Sequence, residues 1–261
     1  DIEACDLTIL GNIPNVESKV GALLHQDEIK SDLLVCANRP NSVEAMAFKY
    51  VREQIRVQQN AQGKPVRTIT ITGVDQHTGK SLISANLAVS IAKLDKKVVL
   101  LDCDFRIPNV HKYFNLDPVE GLTTILGRPD LKYEDLVLKT PTRSLDILPS
   151  GRSHPNPTEL IGSDQFKALL AKLYQNYDFI ILDAPPAVYV ADAPVMAALT
   201  DMVVIVARYR MTTRGRLLMA HRKIFQISHK RAFAILNCVP VIAHEYIPYT
   251  VTTRDELRKV A

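Results

Sequence analysis

Three short stretches carry residues able to do chemistry together. The first is Gly79-Lys80-Ser81, which follows the apolar run Thr68–Thr72 and opens a helical stretch beginning at Leu82. Glycine, lysine and a hydroxyl between a strand and a helix form a phosphate cradle. Backbone N–H groups wrap the anion, Lys80 bridges the outer phosphates, and the Ser81 hydroxyl ligates Mg²⁺. The full pattern asks for glycine five residues before Gly79; Val74 stands there, with Gly73 one place earlier. A chance Gly-Lys-Ser in an ordinary loop is the plainer reading, and the strand–loop–helix context opposes it. The second stretch, Asp102-Cys103-Asp104-Phe105-Arg106, follows Val98–Leu101. Carboxylates two apart at a strand end point to one side and can hold a metal ion or take a proton; equally, they can cap the helix after the turn at Pro108. The third is Asp183, which closes the apolar run Phe179–Leu182 and resembles a Walker B carboxylate reaching toward Mg²⁺.

These side chains converge only if the elements beneath them are parallel. Six strand-length apolar runs alternate with amphipathic stretches: 68–72, 98–102, 145–148, 179–182, 202–207 and 233–237. Most are continuously apolar, as strands buried on both faces are. The alternation predicts a doubly wound, mostly parallel α/β sheet covered by helices on both faces. In such folds ligands sit beyond the carboxyl ends of the strands, where Lys80, Ser81, Asp102, Asp104 and Asp183 all fall. The reading is one Mg²⁺–ATP site on a P-loop nucleotide-hydrolase fold. Upstream, Leu7–Gly11, running to Pro14, reads as an edge strand. Ser42 reads as the N-cap of a helix over 43–58, on which Ala47, Val51 and Ile55 recur at helical spacing.

Composition sets the bounds. The chain has 261 residues, 47% hydrophobic and 23% charged, which excludes a disordered or fibrous chain. A net charge of +4 gives no electrostatic case for nucleic-acid binding. The four cysteines, Cys5, Cys36, Cys103 and Cys238, lie far apart, without zinc spacing, and read as thiols in a reducing compartment. No apolar run reaches the roughly 18 residues of a membrane span. The chain begins with Asp1 rather than Met and reads as part of a longer protein, whose remainder could hold a membrane anchor.

Asp102–Phe114 resembles the Walker A′ block of the bacterial tyrosine kinases that accompany polysaccharide co-polymerases: Asp-x-Asp-x-Arg, then Pro108 and His111-x-x-Phe114. Gly121-Leu122-Thr123, Pro149-Ser150-Gly151, Pro155–Leu160, Asp183-Ala184-Pro185-Pro186, Asp192-Ala193 and Leu10–Pro14 are similar to further segments of that family. The resemblance implies ATP-dependent autophosphorylation on tyrosine, regulating capsule or exopolysaccharide polymerisation and export. It implies a cytoplasmic position at the bacterial inner membrane. It also implies assembly of copies into a ring, with a co-polymerase membrane segment and a tyrosine phosphatase as partners. It places Lys80 on the β- and γ-phosphates, Ser81, Asp104 and Asp183 on Mg²⁺, Asp102 as the base for the tyrosine proton, and Arg106 as an orienting residue. Gly79 and Leu82 complete the nucleotide loop. Asn237 stands where relatives contact adenine, although a turn residue before Pro240 reads equally well. The implied division is a juxtamembrane-like extension over 1–40, a kinase domain over 41–243 and a tail over 244–261.

Three features depart from the family pattern. Besides Val74, His77 sits in the loop where relatives have glycine, and reads as a solvated loop residue. The subunit-pairing Glu-x-x-Arg-x-x-Arg is incomplete: Lys49 and Arg52 keep the spacing, Met46 takes the glutamate position, and Glu44 lies two residues earlier. The tail holds only Tyr246 and Tyr249 as acceptor candidates, and the other seven of the nine tyrosines read as structural. Two alternatives stand beside the kinase. One is a partition- or division-type ATPase switch, which usually carries an extra lysine at the start of the loop, absent here. The other is a nucleotide-sensing regulator without catalysis, against which the intact Lys80, Asp102, Asp104 and Asp183 set argues.

Overall fold

The computed structural model describes residues 7–17, 30–128 and 130–240. Tyr246, Tyr249 and Cys5 lie outside them. An eight-stranded sheet runs through the molecule: β1 (Thr8–Pro14), β2 (Thr68–Gly73), β3 (Val98–Asp102), β4 (Leu138–Lys139), β5 (Leu145–Leu148), β6 (Phe179–Asp183), β7 (Met202–Arg208) and β8 (Phe233–Val239). Their order is β1-β8-β7-β2-β6-β3-β5-β4, and every pairing except β4 with β5 is parallel.

The helices are α1 (Val35–Asn38), α2 (Val43–Arg56), α3 (Lys80–Ala92), α4 (Val110–Tyr113), α5 (Leu122–Gly127), α6 (Pro157–Gly162), α7 (Asp164–Asn176), α8 (Asp192–Leu199) and α9 (Arg214–Ser228). Successive side chains along each strand alternate between the two faces of the sheet, and both faces are apolar, which is why the strand sequences read as unbroken runs. Val98, Leu100, Ile181, Val204 and Ile235 pack toward α2 and α3. Val99, Leu101, Leu182, Val203 and Ile205 pack toward α7, α8 and α9. Most of α3 is buried, so it forms the central helix behind the site. Ser42 caps α2 by accepting the Ala45 N–H at 3.2 Å.

The N-terminal edge strand forms as read: it runs to Pro14, buries Leu10 and Ile13 and pairs with β8. Three other sequence readings shift. Val74 is fully buried in the core and its N–H bonds the Val206 carbonyl; the close approach falls on Gly73 instead, where a Cβ would meet Thr78 Oγ1 at 2.3 Å. Asn237 is no turn residue: it lies inside β8, opposite Arg208. Two of the seven upstream tyrosines are not buried structural residues. Tyr50, on the outer face of α2, is 60% exposed, and Tyr189, on the loop after β6, is 58% exposed. Cys36 and Cys103 are buried free thiols, and Cys238 is a half-buried one. Among the described residues no helix is long and apolar enough to cross a membrane.

Candidate active site

The parallel register sets the site. β3 and β6 pair so that Asp102 lies opposite Asp183, and Ile71 on β2 is also in register with Asp183. The loop from Val74 to Gly79 therefore comes down onto two strand-end carboxylates. Gly79 caps α3 in the left-handed region at φ 90°, and a Cβ there would stand 2.1 Å from Asn237 Nδ2. Asn237 straps the loop from below, its Nδ2 donating to the Thr78 carbonyl at 2.9 Å. Its buried Oδ1 has no partner among the described residues. His77 also takes a left-handed φ of 59°, a conformation that favours glycine. It is exposed, and its carbonyl accepts from Arg208 Nη1 at 3.0 Å.

Lys80 opens α3 and lies 2.9 Å from Asp104 Oδ2, 3.9 Å from Asp183 Oδ2 and 3.3 Å from Ser81 Oγ. Burial opposes its charge, but the carboxylates of Asp183 and Asp104 outweigh burial and hold its pKa above the usual lysine value. Ser81 Oγ donates to Asp183 Oδ2 at 2.6 Å, and Ser84, one turn on, donates to Oδ1 at 3.0 Å. Burial raises the Asp183 carboxyl above the ordinary range, against the opposing pull of Lys80 and the two serines. Asp102 is fully buried. Its Oδ2 accepts from the backbone N–H groups of Asn109 and Val110 at 2.9 and 3.0 Å, and its Oδ1 from Asp104 N–H at 3.3 Å. It thus caps the start of α4, one of the two readings its spacing allowed. Burial, then the charge of Asp183, push it up to about 7.

Arg106, 43% exposed, reaches the buried Asp192 at the start of α8 at 3.5 Å, and Asp192 also accepts from Thr158 on α6. Asp192 thus ties the Asp102–Arg106 segment to the Pro155–Leu160 segment, two motifs that lie far apart in the sequence. Leu82, half-buried in the first turn of α3, passes its carbonyl to Asn86 Nδ2. Away from this cluster, Lys49 Nζ donates to the Pro40 carbonyl and Arg52 Nη1 to the Ser90 carbonyl. Glu44 faces a separate cavity of about 770 Å³ with Arg39, Arg208 and Arg210. Lys80 and Asp104 face a smaller cavity of about 130 Å³, walled by Ile107, Pro185, Pro186 and Tyr189. The larger cavity is only adjacent, through Arg208; the smaller one is lined by Lys80, Asp104 and Arg106.

Among the described residues no three His, Cys, Asp or Glu side chains close on one point. One hydroxyl and two carboxylates converge instead, all hard oxygen donors. That suits Mg²⁺, which keeps water and substrate phosphates in its shell, rather than a caged ion.

A family model described as an AAA domain matches residues 66–235. Tyrosine-protein kinase ptk of Acinetobacter johnsonii is 38% identical over 65% of this chain, which spans 23% of that relative's length. The putative tyrosine-protein kinase CapB of Staphylococcus aureus is 31% identical over 78% of this chain and 88% of its own. The chain belongs to the bacterial tyrosine kinases. The solved kinase domain of the Escherichia coli tyrosine kinase ETK superposes on this kinase domain with a TM-score of 0.81 at 25% identity, covering 96% of this chain and 97% of that one. The doubly wound P-loop architecture expected from the strand pattern is therefore the architecture that this chain shares with that kinase domain.

Proposed function

We propose that this domain transfers the γ-phosphoryl group of Mg²⁺–ATP to tyrosine, on copies of itself, within a capsule or exopolysaccharide assembly system. The observation that carries the reading is the convergence of Lys80, Ser81, Asp104 and Asp183 within hydrogen-bond or ion-pair reach. Phosphoryl transfer needs positioning and charge neutralisation more than covalent chemistry from the protein. Bound Mg²⁺ would supply neutralisation of the phosphate oxygens, held by Ser81, Asp104 and Asp183. Lys80, kept charged by the carboxylates around it, holds the outer phosphates. The first-turn N–H groups of α3, which have no acceptor within the helix, point at the same place. Asn237 Oδ1, buried without a partner, is an acceptor for the adenine amino group. Asp102, raised toward neutrality, takes the tyrosine proton; a base works best with a pKa near the working pH. Arg106 fixes the segment bearing both aspartates through Asp192.

The remainder of the reading comes from the family. It includes a position at the cytoplasmic face of the inner membrane, a co-polymerase membrane segment and a tyrosine phosphatase as partners, and a ring of copies meeting at Glu44, Lys49 and Arg52. Tyr246 and Tyr249 remain the proposed acceptors. The test is incubation with Mg²⁺–ATP followed by detection of phosphotyrosine. Wild type is expected to label and Lys80→Met to stay unlabelled. Nucleotide hydrolysis with no phosphotyrosine in either would favour the ATPase-switch reading.

A further inference from the structure

A negative charge is out of place in a loop built to hold a triphosphate, yet Asp75 lies in this loop five residues before Lys80. The structure supplies its counterpart. Arg216, in the first turn of α9, turns its guanidinium onto the Asp75 carboxylate. Nε lies 2.8 Å from both carboxylate oxygens, and Nη2 makes a further, shorter contact to Oδ1. The same Nη2 meets the Tyr189 hydroxyl at 3.0 Å. Tyr189 belongs to the loop that follows Asp183 and walls the cavity over Lys80. Asp75 is only 23% exposed, and its pairing with Arg216 holds its carboxyl below the usual range.

We propose that Arg216 is a positioning residue for the nucleotide: it cancels the Asp75 charge inside the phosphate loop and fixes that loop to the Tyr189 wall. The inference rests on the Mg²⁺–ATP reading of the site. Its geometry is a forked guanidinium on a carboxylate, which a lysine ammonium does not reproduce. Without Arg216, the Asp75 carboxylate stands unpaired beside an incoming polyanion and repels it. The defect is therefore electrostatic, and removing the second charge cures it.

The test is equilibrium binding of a fluorescent ATP analogue with Mg²⁺, with thermal midpoints recorded for every variant. Arg216→Ala is expected to weaken binding by about tenfold, equivalent to about 1.4 kcal/mol. Arg216→Lys is expected to recover only part of it. The double variant Arg216→Ala/Asp75→Asn is expected to return to within about threefold of wild type, because the repulsion has gone. Weakening in Arg216→Ala that steepens at low salt supports the same account. If Arg216→Ala binds as wild type does, or if the double variant binds no better than Arg216→Ala, the proposal is overturned. If Arg216→Ala does not fold, the comparison of Arg216→Gln with Arg216→Gln/Asp75→Asn decides in the same way. Wild type failing to bind the analogue at all would overturn the Mg²⁺–ATP reading itself, an outcome distinct from the variant results.

Discussion

In the proposed mechanism Asp102 serves both the fold and the reaction. Its Oδ2 is committed to two backbone N–H groups at the start of α4, while Oδ1 carries only the longer 3.3 Å bond. Asp102→Asn keeps an oxygen for the cap and removes the proposed proton acceptor. It is expected to lower tyrosine phosphorylation by about a hundredfold or more, with ATP binding changed only a few-fold; single-turnover labelling beside equilibrium binding separates the two. Gly79→Ala is harsher in a different way. It places a Cβ 2.1 Å from Asn237 Nδ2 at a φ of 90°, and denaturant unfolding is expected to show a loss of about 1–3 kcal/mol. At this scale the sequence was informative wherever residue type and chemistry coincide: Lys80, Ser81 and Asp183 meet as their spacing after apolar runs required. It was silent where the partner comes from far along the chain. Nothing near Asp75 announces Arg216, and nothing near Arg106 announces Asp192, because those pairs exist only after the elements carrying them have packed.

Elements depend on similar long-range bonds. Asp201, just before β7, accepts from Asn60 Nδ2 and from the backbone N–H groups of Arg67 and Thr68, as well as the Thr68 hydroxyl. It pins the entry of β2 to the entry of β7. Burial works against its charge, but these four donors outweigh burial and keep its pKa below 3.8. The sign follows from a depressed folded-state pKa. The stabilisation is complete above the unfolded value of 3.8 and disappears as pH falls through the lower folded value. Asp201→Asn is therefore expected to cost about 1–2 kcal/mol near neutral pH, allowing for partial solvent exposure. Urea titrations across pH should show that difference closing in acid; a constant difference at every pH would contradict the assignment. Strands and helices were legible because periodicity and capping are local. The fold order β1-β8-β7-β2-β6-β3-β5-β4 was not, since most pairing partners, such as Thr8 with Phe233 or Ile71 with Asp183, lie far apart in the chain.

In the whole molecule, the N-terminal strand joins the same sheet as the phosphate loop. β1 pairs with β8, and β8 carries Asn237, which straps Thr78 from below. Gly11 lets β1 approach α2, where a Cβ would meet Val51 Cγ2 at 2.8 Å. Gly11→Ala is expected to destabilise the chain by about 1–3 kcal/mol and to speed amide exchange in β1 and β8 ahead of β2 and β6. Uniform exchange would show that β1 does not support the β8 edge. Phosphoryl transfer to tyrosine is read out by tandem mass spectrometry of the chain after incubation with Mg²⁺–ATP. Phosphotyrosine is expected in wild type, none in Lys80→Met, and strongly reduced labelling in Asp102→Asn. Equal phosphotyrosine in wild type and Lys80→Met, or none in wild type that demonstrably binds Mg²⁺–ATP and self-associates, would contradict the proposed function.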